Sequence, residues 1–154
     1  MSQLVGKVPT ALVPWRNHSW HLTLHLTPRG LVTELIHHQG GPFTLLIDLA
    51  DHELVLESRR KRRTLPLGPC SLADLHGRMA AMLAEAGLAV RIHAAPNEVE
   101  PAIPFAEDAA PRPYERDSAE RLLGALHSAD RVFRLFRSGF LGKASPVHFF
   151  WGSF

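Results

Sequence analysis

The clearest pattern in the chain is the alternation of apolar and polar side chains from Trp20 to Thr27. Trp20, Leu22, Leu24 and Leu26 fall on one face of an extended segment, and His21, Thr23, His25 and Thr27 on the other. Pro28-Arg29-Gly30 reads as a turn, with Gly30 free to take positive φ. Leu31 to Ile36 returns with Leu31, Thr33 and Leu35 on the apolar face. A two-residue turn at Pro28-Arg29 then sets Thr23 opposite Glu34. His37 to Pro42 turns again, and Phe43 to Ala50 follows with Phe43, Leu45, Ile47 and Leu49 inward. Asp51-His52 leads into Glu53–Glu57, whose Leu54 and Leu56 match that face, and a further strand is expected around Thr64–Leu67. These segments predict an antiparallel meander from residue 20 to about 67.

The period changes after Cys70. Ser71 and Asp74 form an S-x-x-D capping signature, and Leu72, Leu75, Met79, Met82, Leu83 and Ala86 make one helical stripe. Gly87 ends that helix. Leu88 to Ala94 alternates as a strand. Residues 96–113 carry five prolines and read as a long extended excursion pinned by Ile103 and Phe105. Such loops are often functional, and covering a sheet edge is the equal alternative. A second helix starts at Asp117 or Ser118, with Leu122, Leu126, Ala129, Phe133, Phe136 and Phe140 as its stripe. Residues 4–13 read as a short extended or edge segment, because Pro9 excludes a central strand. Near the end, Val147, Phe149 and Trp151 alternate with His148, Phe150 and Gly152. Both faces are mostly apolar, so a strand buried on both sides is expected. The fold class expected is α+β, with two amphipathic helices covering one face of the meander.

Composition adds little to this picture. Apolar residues make up 45% and charged residues 21% of the 154, an ordinary globular balance for one domain. Apolar runs are too short to span a membrane, and residues 1–13 lack the pattern of a signal peptide. Cys70 is the single cysteine, which excludes an internal disulfide and fits a reducing cytoplasm. A net charge of +2 is too weak to argue nucleic-acid binding. Arg59-Arg60-Lys61-Arg62-Arg63 reads as a phosphate patch or as a solvated hairpin tip. The tip is favoured, since no aromatic is interleaved to stack bases.

Candidate chemistry lies in two polar-aromatic stretches. Pro14 to Trp20 holds Trp15, Arg16, Asn17, His18 and Trp20. Gly142 to Phe154 holds Lys143, Ser145, His148 and Trp151. His148, enclosed by rings, is expected neutral and able to act as acid, base or donor, and His18 and Lys143 are the other catalytic candidates. Their structural readings are a core histidine, a loop residue and a solvated lysine. With Arg29 added, Trp15, Asn17, His18, Trp20, Ser145, His148 and Trp151 form a conceivable ligand-binding set of the mixed kind found in small-molecule pockets. No phosphate loop, nucleophile elbow or cysteine pair is present, and His21 and His25 lie about 13 Å apart on a strand. No metal or cofactor is expected.

The stretches Val5-Gly6-Lys7, Asn17-His18-Ser19-Trp20-His21, Leu26-Thr27-Pro28-Arg29-Gly30-Leu31, Ile103-Pro104-Phe105 and Gly142 to Phe154 resemble the bacterial domain of unknown function 5996. The likeness runs along the whole chain, and its last segment is the most specific. The resemblance implies a longer protein continuing past Gly152-Ser153-Phe154, so residues 1–154 are expected to be one α+β domain truncated at its C-terminus. It implies no activity, cofactor or partner. The five-residue basic run departs from the short polar turn expected there. A small-molecule-binding protein or enzyme therefore ranks first among functions. A structural or interaction module follows, completed by further sequence, by a partner or by self-association through the terminal strand. Nucleic-acid binding through Arg59–Arg63 comes last.

Overall fold

A computed structural model describes residues 1–153. Its centre is a five-stranded antiparallel sheet, β1 (Leu24–Leu26), β2 (Gly30–Thr33), β3 (Phe43–Asp48), β4 (Glu53–Ser58) and β5 (Arg62–Pro66), in sequence order. Three α-helices accompany it: α1 (Ser2–Leu12), α2 (Leu72–Glu85) and α3 (Arg116–Ser138). The expected α+β class and the open meander are both present. Leu24 pairs with Thr33 and Leu26 with Leu31, the register that a two-residue turn at Pro28-Arg29 dictates. Thr27 Oγ1 accepts from the amides of Arg29 and Gly30 and fixes that turn. The inward set is as the alternation requires: Phe43, Leu45, Ile47, Leu54 and Leu56 are all buried.

α1 replaces the extended segment expected at residues 4–13. Leu4, Val5 and Val8 recur at three- and four-residue spacing and are fully buried, a helical period that Pro9 does not override. Pro9 lies inside the helix, and its carbonyl still accepts from Val13 at 2.8 Å. β1 is also shorter than the alternation suggested. Asn17–Leu22 coils as a 3₁₀ segment, with His18 and Ser19 in the left-handed region at φ 57° and 55°. His21 and Thr23, expected on a polar face, are buried because each finds a local partner. His21 Nδ1 accepts from the Arg16 amide at 3.1 Å, and Thr23 Oγ1 donates to the Trp20 carbonyl at 3.0 Å. Beyond Thr33 the pairing breaks, so Leu35 turns out to solvent. Ile36, bridged to Phe43, takes the inward place.

α2 forms as its signature predicts: Ser71 Oγ accepts from the Asp74 amide at 3.0 Å, and Leu75, Met79, Met82 and Leu83 are buried. Lys61 Nζ reaches the carbonyls of Glu85 and Ala86, so one residue of the basic run caps the end of α2. Leu88–Ala94 keeps its alternating burial but joins no ladder, and is extended coil rather than a strand. In the excursion Phe105 is buried as expected, whereas Ile103 is exposed. α3 begins near the expected point but buries Ala119 and Leu123. Of the expected stripe, Leu126 packs partly buried against the core, whereas Leu122, Ala129, Phe133, Phe136 and Phe140 lie exposed.

The terminal strand is not formed. Phe149 makes a single antiparallel bridge to Leu24, and Trp151–Ser153 is a short 3₁₀ turn. Trp151 is buried nonetheless. Its Nε1 donates to the Leu22 carbonyl at 2.6 Å, and its ring lies on α1 where Gly6 leaves room. A Cβ at Gly6 would sit 2.2 Å from Trp151 Cε2.

Candidate functional site

A cavity of about 560 Å³ opens between the start of α1, the start of α2 and the excursion. Long-range polar pairs build it. Gln3 Nε2 donates to the Asn97 carbonyl at 3.0 Å while its Oε1 accepts from the Asn97 amide at 2.9 Å, and Lys7 Nζ donates to Asn97 Oδ1 at 2.8 Å. Burial lowers the pKa of Lys7 from its ordinary value. Cys70 and Arg112 exchange two backbone hydrogen bonds, and the Ala73 amide donates to the Asp108 carbonyl. The excursion is thereby tied to α1 at one end and to α2 at the other.

The wall is mainly apolar, with Leu72, Leu75, Ile103 and Phe105 among its members. Its polar groups are few. Asp108, nearly buried, accepts from Arg112 at 2.8 Å. Tyr114, just before α3, hydrogen-bonds His52 Nδ1 at 3.0 Å, and its phenol is pushed above its ordinary pKa by burial. His52 is buried, sits in the left-handed region at φ 58°, and turns Nε2 toward Glu120 Oε1 at 3.6 Å. Among the described residues no cluster of three or more His, Cys, Asp and Glu side chains could hold a metal ion.

The residues singled out in the sequence lie elsewhere, for none of them borders this cavity. Trp15, Asn17 and His18 are exposed, with His18 against Trp20 at 5.3 Å between ring centroids. Arg29 is held by Asp48 and Asp51. Lys143 is exposed. Ser145 and His148 border a second, shallower groove with Phe133, Phe136 and Phe140 of the α3 end. Burial lowers the pKa of His148. Trp151 is occupied in packing against α1.

Sequence reading passed over His52, Asp108, Arg112 and Tyr114. The signals present were the spacing of Asp108 and Arg112, the proline-rich loop itself, and Tyr114 as the single tyrosine.

The fold defines a class: an α+β domain with an open antiparallel meander, helices about it, and a cavity between the starts of α1 and α2 and the excursion. The model of a family of unknown function, DUF5996, matches residues 1–154, and the chain belongs to that family. No curated protein and no solved structure matches it. Among the described residues no helix is long and apolar enough to cross a membrane.

Proposed function

We propose that the protein binds a small, mainly apolar molecule carrying one polar group in the cavity beneath the excursion, and that it does so in the cytoplasm. The cavity carries this reading. Its volume of about 560 Å³ lies within the range of small-molecule sites. Its composition, apolar walls with Asp108, Arg112 and Tyr114 among the lining, is that of a site which orients as well as encloses. Indole serves as a probe for thermal unfolding. At several times its Kd it should raise Tm by about 2–4 °C. Leu72→Trp, which fills the cavity, should abolish the shift. Equal shifts in the two chains would contradict the reading.

A second reading, self-association of two copies, is favoured by one observation. Seven large apolar side chains from Leu122 to Leu141 are 48–99% exposed, Phe136 and Leu141 most of all. Patches of that kind mark interaction surfaces. This moves the contact from the terminal stretch to the outer face of α3.

A further inference from the structure

We propose that Tyr114 is a catalytic proton-transfer group on the wall of this cavity, served by His52 and Glu120 as positioning residues. The inference rests on the cavity reading and adds a chemistry to it.

The geometry favours one direction for the relay. The Glu120 carboxylate, 3.6 Å from His52 Nε2, favours the tautomer with the imidazole proton on that nitrogen. Nδ1 is then an acceptor, and the Tyr114 hydroxyl donates to it at 3.0 Å. The phenol oxygen then has lone pairs left to accept from a ligand, Tyr114 being one of the cavity's lining residues. This is a reacting group, a base behind it and a third group orienting the base, the arrangement that activates nucleophiles and general bases. The backbone supports the assignment. His52 holds φ 58°, a conformation that most residues adopt only at a cost, and its carbonyl is pinned by the Leu67 amide at 2.7 Å. Burial keeps the phenol protonated, as a donor to His52 must be.

The ligand class follows. It is a mainly apolar molecule with one weakly acidic X–H group, a hydroxyl or a thiol. As X–H approaches, its proton passes to the phenol oxygen and the phenol proton passes to His52 Nδ1. The ligand is left as X⁻, and the imidazolium faces Glu120. No other bond changes. The other charges acting on Tyr114 are Arg116 at the start of α3 and Asp48 at the end of β3.

Tyr114 is the single tyrosine, so its chemistry can be read without mutating others. N-acetylimidazole is the probe: its acetyl group moves to the phenol oxygen, the phenol proton goes to His52 Nδ1, and that proton or one from solvent is delivered to the departing ring, which leaves as neutral imidazole. Loss of the phenol absorbance, restored by hydroxylamine, reports Tyr114, because acetylating the Cys70 thiol leaves that absorbance unchanged. In the native chain acetylation should already be fast at neutral pH, where the phenol is un-ionised and a positioned base must take its proton. In His52→Asn, chosen because Asn tolerates the left-handed conformation, the neutral-pH rate should fall at least about tenfold. The rate should then rise only with ionisation of the phenol itself, which burial pushes above the ordinary phenol range. Glu120→Gln, on the surface, leaves folding untouched and should also lower the neutral-pH rate. Indole should protect Tyr114 in all three chains. The same rising profile in all three would overturn the relay while leaving the cavity reading in place. A failure of indole to protect Tyr114, with indole still bound, would remove Tyr114 from the cavity and overturn the proposal.

Discussion

At the scale of single residues, charges and imidazoles are settled by their immediate partners rather than by the face on which a pattern puts them. Asp48 is the clearest case. Burial alone would raise its pKa, but Arg29 Nε at 2.6 Å, the Ala50 and Asp51 amides and the Arg29 charge together lower it. A folded-state pKa below the unfolded value means stability that is fully present above the ordinary carboxylate range and is lost as pH falls from there through the lowered folded-state value. The difference in urea midpoint between the native chain and Asp48→Asn should therefore be large at pH 7 and collapse toward pH 3. A difference independent of pH would show that the carboxylate is not the stabilising form. The same locality explains which residues were legible. The Ser71 cap was readable because its partner is three positions away. His21 was not, because its burial depends on accepting a bond from Arg16 in a left-handed loop that no periodicity announces. His148 was expected to be the enclosed histidine, yet His21 is more deeply buried.

Among elements, the strands and α2 were legible because their apolar periods are complete and their partners are neighbours in sequence. α1 was missed because Pro9 outweighed the spacing of Leu4, Val5 and Val8. The terminal stretch was misread because an aromatic-rich alternation records burial, which Trp151 has, and not ladder pairing, which reduces to Phe149 with Leu24. The α1–Trp151 contact gives a test of sign. In an open helix Gly→Ala is worth about 1 kcal/mol of stabilisation. At Gly6 the added Cβ would fall inside the indole ring, and overpacking costs about 1–3 kcal/mol. Gly6→Ala should therefore lower Tm, and Gly6→Ala combined with Trp151→Phe should recover part of the loss. A higher Tm for the single variant would show that the contact is slack.

For the molecule as a whole, the outer face of α3 and the cavity make separate claims. The exposed stripe predicts that the chain associates at tens of micromolar and that Phe136→Asp, placed where the side chain is 86% exposed, returns it to a monomer. Light scattering of both chains checks this, and a monomeric native chain would contradict it. The cavity was invisible in the sequence for a physical reason. It exists only through pairs remote along the chain: Gln3 with Asn97, Cys70 with Arg112, and His52 with Tyr114, 62 positions apart. What the sequence did show was a long proline-rich loop that had to cover something.

The most direct measurement is a methyl-resolved NMR titration with indole, because it locates the ligand rather than merely detecting it. Shifts confined to the methyls of Leu72, Leu75 and Ile103 are the expected result, and Leu72→Trp should remove them. Shifts concentrated at Leu135, Leu141 and Val147, with Leu72, Leu75 and Ile103 unmoved, would place binding on the α3 face and contradict the cavity as the functional site.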